Sequence, residues 1–189
     1  MSEKEKKVEI EGAGEISSEN KEVAMLIAVL ALLLAITELL GSAAQVKTVQ
    51  SNIEASNLWS FYQAKAIRAT TLETAAEQLE ADMASVTDHK QKEAREALLA
   101  KWKGTVARYE NDPKTNEGRE QIKERAKEAE HERDKAEEKH HKFEIAVGAF
   151  HIAIVLASAA IITGIVALVW GAGALGFVGL INLLFGWLL

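Results

Sequence analysis

Hydrophobic and polar positions divide the chain into four kinds of stretch. Residues 145–189 contain no Lys, Arg, Asp or Glu, and His151 is their one titratable side chain. Residues 23–44 are also apolar, with Glu38 as the single charge. Between 45 and 142 apolar and charged positions alternate at helical spacing, while residues 1–20 are polar and rich in Glu, Lys, Ser and Gly. This pattern predicts an all-α membrane protein with three transmembrane helices and a long extramembrane helical stalk between the first and second. The tail 1–20 is expected to be disordered.

The expected spans are 21–44, 143–169 and 174–189. The uncharged run 145–169 would extend about 37 Å as a helix, enough for a hydrocarbon core of ~30 Å. Trp170, Gly171 and Gly173 mark the expected turn, which leaves a third segment of only about 24 Å. Trp170 and Trp187 stand where interfacial aromatics belong. Gly176 and Gly179 permit close helix approach. Two buried helices of a soluble core would need a polar face, and this run has none. The first apolar segment is expected to be a retained helix rather than a cleaved signal, because the tail before it is net acidic and the run is long.

On that first helix Ala24, Ala28, Ala31, Ala35, Glu38 and Ser42 recur at alternating spacings of four and three, predicting a packing face of small residues. Leu26, Leu30, Leu33, Leu34 and Leu40 fall mostly off this stripe and are expected to face lipid or neighbouring helices. Along 45–142, Val46, Val49 and Ile53 begin an apolar face that Leu72, Ala75, Leu79, Met83 and Val86 continue. The aromatic stretch Leu58-Trp59-Ser60-Phe61-Tyr62 is expected to pack against a returning helix. Residues 85–88 read as a break with a new helix N-cap, and the following helix presents Leu98, Trp102, Val106 and Tyr109. The stalk turns at 111–113, which holds the chain's one proline. From Thr115 a charged helix returns. Its seam, Ile122, Ala126, Ala129, Arg133, Ala136, His140, Phe143, Val147, Phe150, Ile154 and Ala157, keeps one phase into the second span. One continuous helix over 115–169 is expected.

Three polar residues are candidates for an intramembrane cluster. Glu38, His151 and Asn182 each lie about 10 Å inside the stalk-side boundary of a different helix. A polar group is costly in hydrocarbon and cheaper when its neighbours satisfy it. The expected core of the cluster is a Glu38–His151 contact. Just outside the membrane, Glu137, His140 and His141 are candidate metal ligands, since Glu-x-x-His places both groups on one helix face; Glu73, Glu77 and Glu80 could complete such a site. Alternating charges more commonly make a solvated face.

Charge narrows the classes further. All 22 Lys and Arg precede Phe143; residues 1–22 carry 4 Lys and 7 Glu, and residues 45–142 carry 18 basic and 19 acidic groups. No stretch has the basic excess of a nucleic-acid binder. With no Cys there is no disulfide framework and no thiolate site. No phosphate-binding Gly loop or nucleophile triad is present, so no enzyme and no cofactor are expected. Lys47, Lys135, Lys139 and Lys142 bias the stalk side weakly toward the cytoplasm.

Residues 55–65, Ala-Ser-Asn-Leu-Trp-Ser-Phe-Tyr-Gln-Ala-Lys, and His140-His141-Lys142-Phe143 before a terminal hairpin resemble a family of small bacterial membrane proteins catalogued as a domain of unknown function. The resemblance covers most of residues 20–189 and implies a three-span envelope protein of the bacterial inner membrane, without an activity. Many of the proteins it resembles carry a His-rich amino-terminal tail; this chain has no His before His89, so metal binding by the tail is not carried over. The leading expectation is a non-enzymatic, self-associating scaffold in the lipid bilayer, a homo-oligomer. The alternative is an ion or proton conductor using Glu38, His151 and Asn182, and a metal-binding protein comes third.

Overall fold

A computed structural model describes residues 18–189. They form four helices and no strand: α1 (Ser18–Met83), α2 (His89–Glu110), α3 (Arg119–Thr163) and α4 (Val166–Leu188). The expected disordered tail lies outside the described residues, except for 18–20, which already belong to α1. Helices α1, α3 and α4 are each long and apolar enough to cross a membrane. Only 17%, 33% and 22% of their most apolar windows is buried within the chain. A helix that serves a soluble core hides its apolar face, whereas these present it, with Leu39 73% and Ile162 85% exposed. Such a surface is compatible with a multi-pass membrane protein.

The described chain divides into two compact units, residues 18–46 with Lys135–Leu189, and Lys47–Asp134. In the first unit α3 and α4 form a tight antiparallel pair. Gly164, at φ 69°, ends α3 by donating its N–H to Ala160 at 2.8 Å, and α4 begins after Ile165. The pair is set by layers seven residues apart. Phe143 sits on Gly186 and Phe150 on Gly179; a Cβ at either glycine would come within 2.7 Å of the ring. Ala157 and Ala172, both fully buried, continue the series. In each layer the two residues are equally distant from the turn in sequence, by 21, 14 and 7 positions.

This register moves the turn from the expected 170–173 to Gly164–Ile165. Gly171 and Gly173 lie inside α4, which therefore has 23 residues, about 35 Å, rather than the short segment expected. Helix α3 correspondingly runs over 119–163, not 115–169. Trp170 and Trp187 remain near opposite ends of α4, and both are exposed.

Helix α1 packs on this pair through Leu30, Thr37, Gly41 and Ala44. Leu30 reaches the bare backbone at Gly176, and Gly41 lies against Phe143. Thr37 is fully buried and donates its hydroxyl to the Leu33 carbonyl at 2.7 Å. The alanine stripe is therefore not the face used within the chain: Ala24, Ala28, Ala31, Ala35 and Ser42 are exposed, while Leu26, Leu33, Leu34 and Leu40 pack inward. The close approach comes from Gly176 on α4, which accepts Leu30 of α1.

In the second unit α1 buries Ser51, Ala55, Leu58, Lys65, Ala69 and Ala76. Ile122, Ala126 and Ala129 of α3 complete the core with Ala55 and Leu58. Val46, Val49 and Ile53 do not begin this face; each is more than half exposed, because the packed series is led by smaller residues on the opposite side. Asp88 caps α2, accepting from the amides of Lys90 and Gln91. Helix α2 has no fully buried residue and is tied to α1 by a Lys103–Glu80 ion pair. The turn after α2 is organised by the Gln121 side chain, which accepts from the Asp112 amide and donates to Asn111. Asn116 takes a left-handed conformation there at φ 58°.

Two outcomes follow from this packing. Gly179→Ala is expected to destabilise the chain by about 1–3 kcal/mol through overpacking against Phe150, whereas Gly173→Ala, with open space around it, is expected to gain up to about 1 kcal/mol of helix propensity. Thermal unfolding in detergent, followed by circular dichroism, compares the two. For Asp112, burial raises the carboxyl's pKa, but the Thr115 hydroxyl, the Thr115 and Lys114 amides and Arg108 outweigh it and hold it below its ordinary 3.8. A depressed native pKa stabilises above the unfolded value and is lost as pH falls through the native one. The stability deficit of Asp112→Asn is thus expected to be full at neutral pH and to shrink at pH below the ordinary value, measured by unfolding across a pH series.

Candidate functional site

In the first unit the edge of the α1–α3 contact carries the ionisable groups. Glu38 follows the buried Thr37, and His151 follows the buried Phe150, so each stands just outside a packed face. The structure brings them together, with His151 Nε2 3.7 Å from Glu38 Oε1. Their side chains are 56% and 53% exposed within the chain. An acid and an imidazole at this separation can form an ion pair or pass a proton through a bridging water.

Asn182 does not join them. Its amide donates to the Val178 carbonyl of its own helix at 3.0 Å. In the α3–α4 register it lies level with Val147, and a carbonyl one turn back satisfies its amide.

A second histidine extends the polar edge. His140 Nδ1 lies 3.0 Å from the Gly41 carbonyl, and its Nε2 lies 3.4 Å from Glu144 Oε1. A carbonyl only accepts, so Nδ1 carries the hydrogen and donates. Gly41 is what lets α1 come this close, since a side chain there would press on Phe143. Glu38, Gly41, Gln45, His140, Glu144 and Gly148 line one shallow groove. On α3 the spacing of His140, Glu144 and His151 places all three on one side of the helix.

The candidate metal set does not assemble. Glu137 and His141 are exposed, His140 is turned toward Gly41 and Glu144, and Glu80 pairs with Lys103. Among the described residues no three His, Asp or Glu side chains are grouped to hold a metal ion.

The second unit holds a cation–aromatic cluster that sequence reasoning did not single out. Lys65 is buried, lies 5.0 Å from the Phe61 ring and 5.7 Å from the Tyr109 ring, and faces Glu117 at 3.6 Å. Arg119 lies over Tyr62 at 4.8 Å, donates to its hydroxyl at 3.0 Å and pairs with Glu110 at 2.6 Å. Burial opposes the Arg119 charge, but the Tyr62 hydroxyl and Glu110 more than compensate and raise its pKa. Trp59 donates to Glu130 at 2.9 Å and meets Tyr62 edge-on at 5.5 Å. The aromatic stretch thus packs against the returning helix. The signal for Lys65 was its place in the heptad series with Ser51 and Leu58, where a lysine needs a partner.

If the His140 contact fixes how α1 meets α3, His140→Ala should destabilise the chain by about 1–3 kcal/mol, since it strips the hydrogen bond from the Gly41 carbonyl and removes a packed ring. His141→Ala, on the exposed side, should change stability by less than about 0.5 kcal/mol. Thermal unfolding in detergent separates them.

Residues 19–189 match a family described as Domain of unknown function (DUF4337). No curated protein and no solved structure matches the chain. Nearly the whole described chain therefore falls within one family, and the protein belongs to DUF4337.

Proposed function

We propose that the protein is a non-enzymatic, multi-pass membrane protein that self-associates and serves as a helical scaffold. In this reading α1, α3 and α4 cross the bacterial inner membrane, and the segment between the first and second crossings faces the cytoplasm. The observation that carries it is the half-exposed Glu38–His151 pair beside an exposed alanine stripe. An ionisable pair left against hydrocarbon is costly, and a second copy packed over it removes that cost. Small residues along Ala24, Ala28, Ala31 and Ala35 allow the close helix approach such packing needs. The balanced charge of 45–142 suits neither nucleic acid nor a strongly charged substrate.

A second reading is ion or proton conduction. It is favoured by one observation: His140, Glu144, His151 and Glu38 form an exposed polar edge on the same two helices. In that case water, rather than a protein surface, covers the pair.

The two readings separate on Glu38→Gln and His151→Ala made singly. Scaffolding predicts that each weakens assembly in nanodiscs by about 3- to 20-fold, the loss of an interhelical polar contact of about 0.6–1.7 kcal/mol. Native mass and cross-linking measure it. Conduction predicts intact assembly and loss of proton flux in proteoliposomes. A native chain that is monomeric in nanodiscs at all concentrations overturns the scaffold reading.

A further inference from the structure

Between Gln50 and Gln78 helix α1 has two opposite faces. The inner one, led by Ser51, Leu58 and Lys65 with Ala55, Ala69 and Ala76, is buried in the second unit. The outer one is made of positions one residue before and two residues after the inner series, about 100° to 200° around the helix. It consists of two series at seven-residue spacing. Gln50, Asn57, Ala64, Thr71 and Gln78 form the first; Ile53, Ser60, Ile67 and Thr74 form the second. All nine positions are exposed, and none is charged. The charges of this stretch lie off these nine positions, Lys65 on the inner face and Glu54, Arg68, Glu73 and Glu77 elsewhere around the helix.

We infer that this outer face of α1 is a coiled-coil seam for a second copy of the same chain, lying parallel. The inference deepens the scaffold reading and rests on it, because two copies inserted the same way in one membrane present α1 in the same direction. In a parallel pair each layer sets a residue against its own copy. A like-charged layer repels itself, so a charge-free face suits a seam that meets itself, whereas a seam for a different protein can carry charges that its partner complements. Asn, Gln, Ser and Thr side chains both donate and accept, so each polar layer can satisfy its own copy. Asn57 occupies the position at which a buried asparagine fixes register and favours two strands. Ile53, 54% exposed, and Ile67, 68% exposed, supply the apolar layers on either side of Ser60.

Two shallow grooves lie along this face. One takes in Gln50, Ile53, Asn57 and Phe61 of α1, with Glu54 of α1 and Arg125 of α3 as its two charges, and the other Ile67, Thr71, Thr74 and Gln78. The seam covers four heptads, about 43 Å, with Ile53, Ala64 and Ile67 as its apolar members.

The chain has no cysteine, so single cysteines report the contact directly. The experiment uses the full chain in native membranes, under mild oxidation, with Ser60→Cys on the seam and Asn52→Cys on the exposed flank. Ser60→Cys is expected to form a disulfide-linked dimer at least roughly tenfold faster than Asn52→Cys, because only facing thiols meet the bond's geometry. Adding Ile67→Lys to Ser60→Cys is expected to lower that rate at least roughly tenfold by placing like charges in one layer, with helix content by circular dichroism unchanged. Equal cross-linking at both sites, or none at Ser60 in a chain that is still oligomeric in nanodiscs, overturns the seam and leaves the scaffold reading standing. A monomeric native chain overturns both.

Discussion

The seating of phenylalanine rings on bare glycine backbone is the contact on which the first unit depends. Phe143 on Gly186 and Phe150 on Gly179 bring α3 and α4 closer than two side-chain-bearing helices can come. Because rings and glycines share a seven-residue spacing and lie symmetrically about Gly164–Ile165, one register satisfies both layers. A slip by one residue would set each ring against a side chain instead of a gap. Without water to drive helices together in a bilayer, this complementarity and its dispersion contacts are what hold such a pair.

That packing also decides what α1 can offer. Gly176 of α4 receives Leu30, and Gly41 admits Phe143, so α1 turns Leu26, Leu30, Leu33, Leu34 and Leu40 inward. Ala24, Ala28, Ala31 and Ala35 are left outside, on the helix that carries Glu38. The same helix thus joins its own chain through large-on-small contacts and keeps a smooth face free. The polar edge arises at the margin of this contact, where Thr37 and Phe150 are fully buried and their next neighbours in sequence are not. His140 closes the edge by hydrogen-bonding a carbonyl that only a glycine-thinned helix brings within reach.

Much of this was legible in the sequence, and the misreadings have physical causes. The seam from Ile122 to Ala157 was visible because its period is regular and its large members, Ile122, Phe143 and Phe150, are surrounded by charged or smaller residues. The Glu38–His151 contact was visible because each is the lone ionisable group in its apolar run. The turn was not. Gly171 and Gly173 look like a break, yet both sit inside α4, where the helix continues through them. Gly164 closes the hairpin through a left-handed backbone, and with Thr163 as its one polar neighbour and no charge nearby the turn leaves little hydropathy signal. The pairing of two phenylalanines with two glycines at matched distances from 164–165 carried that information. Neither hydropathy nor turn propensity reads such a long-range correspondence.

The alanine stripe teaches a related point. A row of small residues at helical spacing announces a face built for close contact, but not whose face will meet it. Within this chain the stronger complement belongs to the glycines of α4, so the alanines lose the competition for α1. Likewise Val46, Val49 and Ile53 are the larger apolar residues of their stretch, yet Ser51, Ala55 and Leu58 face the core, because α3 offers Ile122, Ala126 and Ala129 on that side. In both units the face that sequence composition favours for packing lies on the outside. In the scaffold reading we propose, these outward faces are where a second copy would pack.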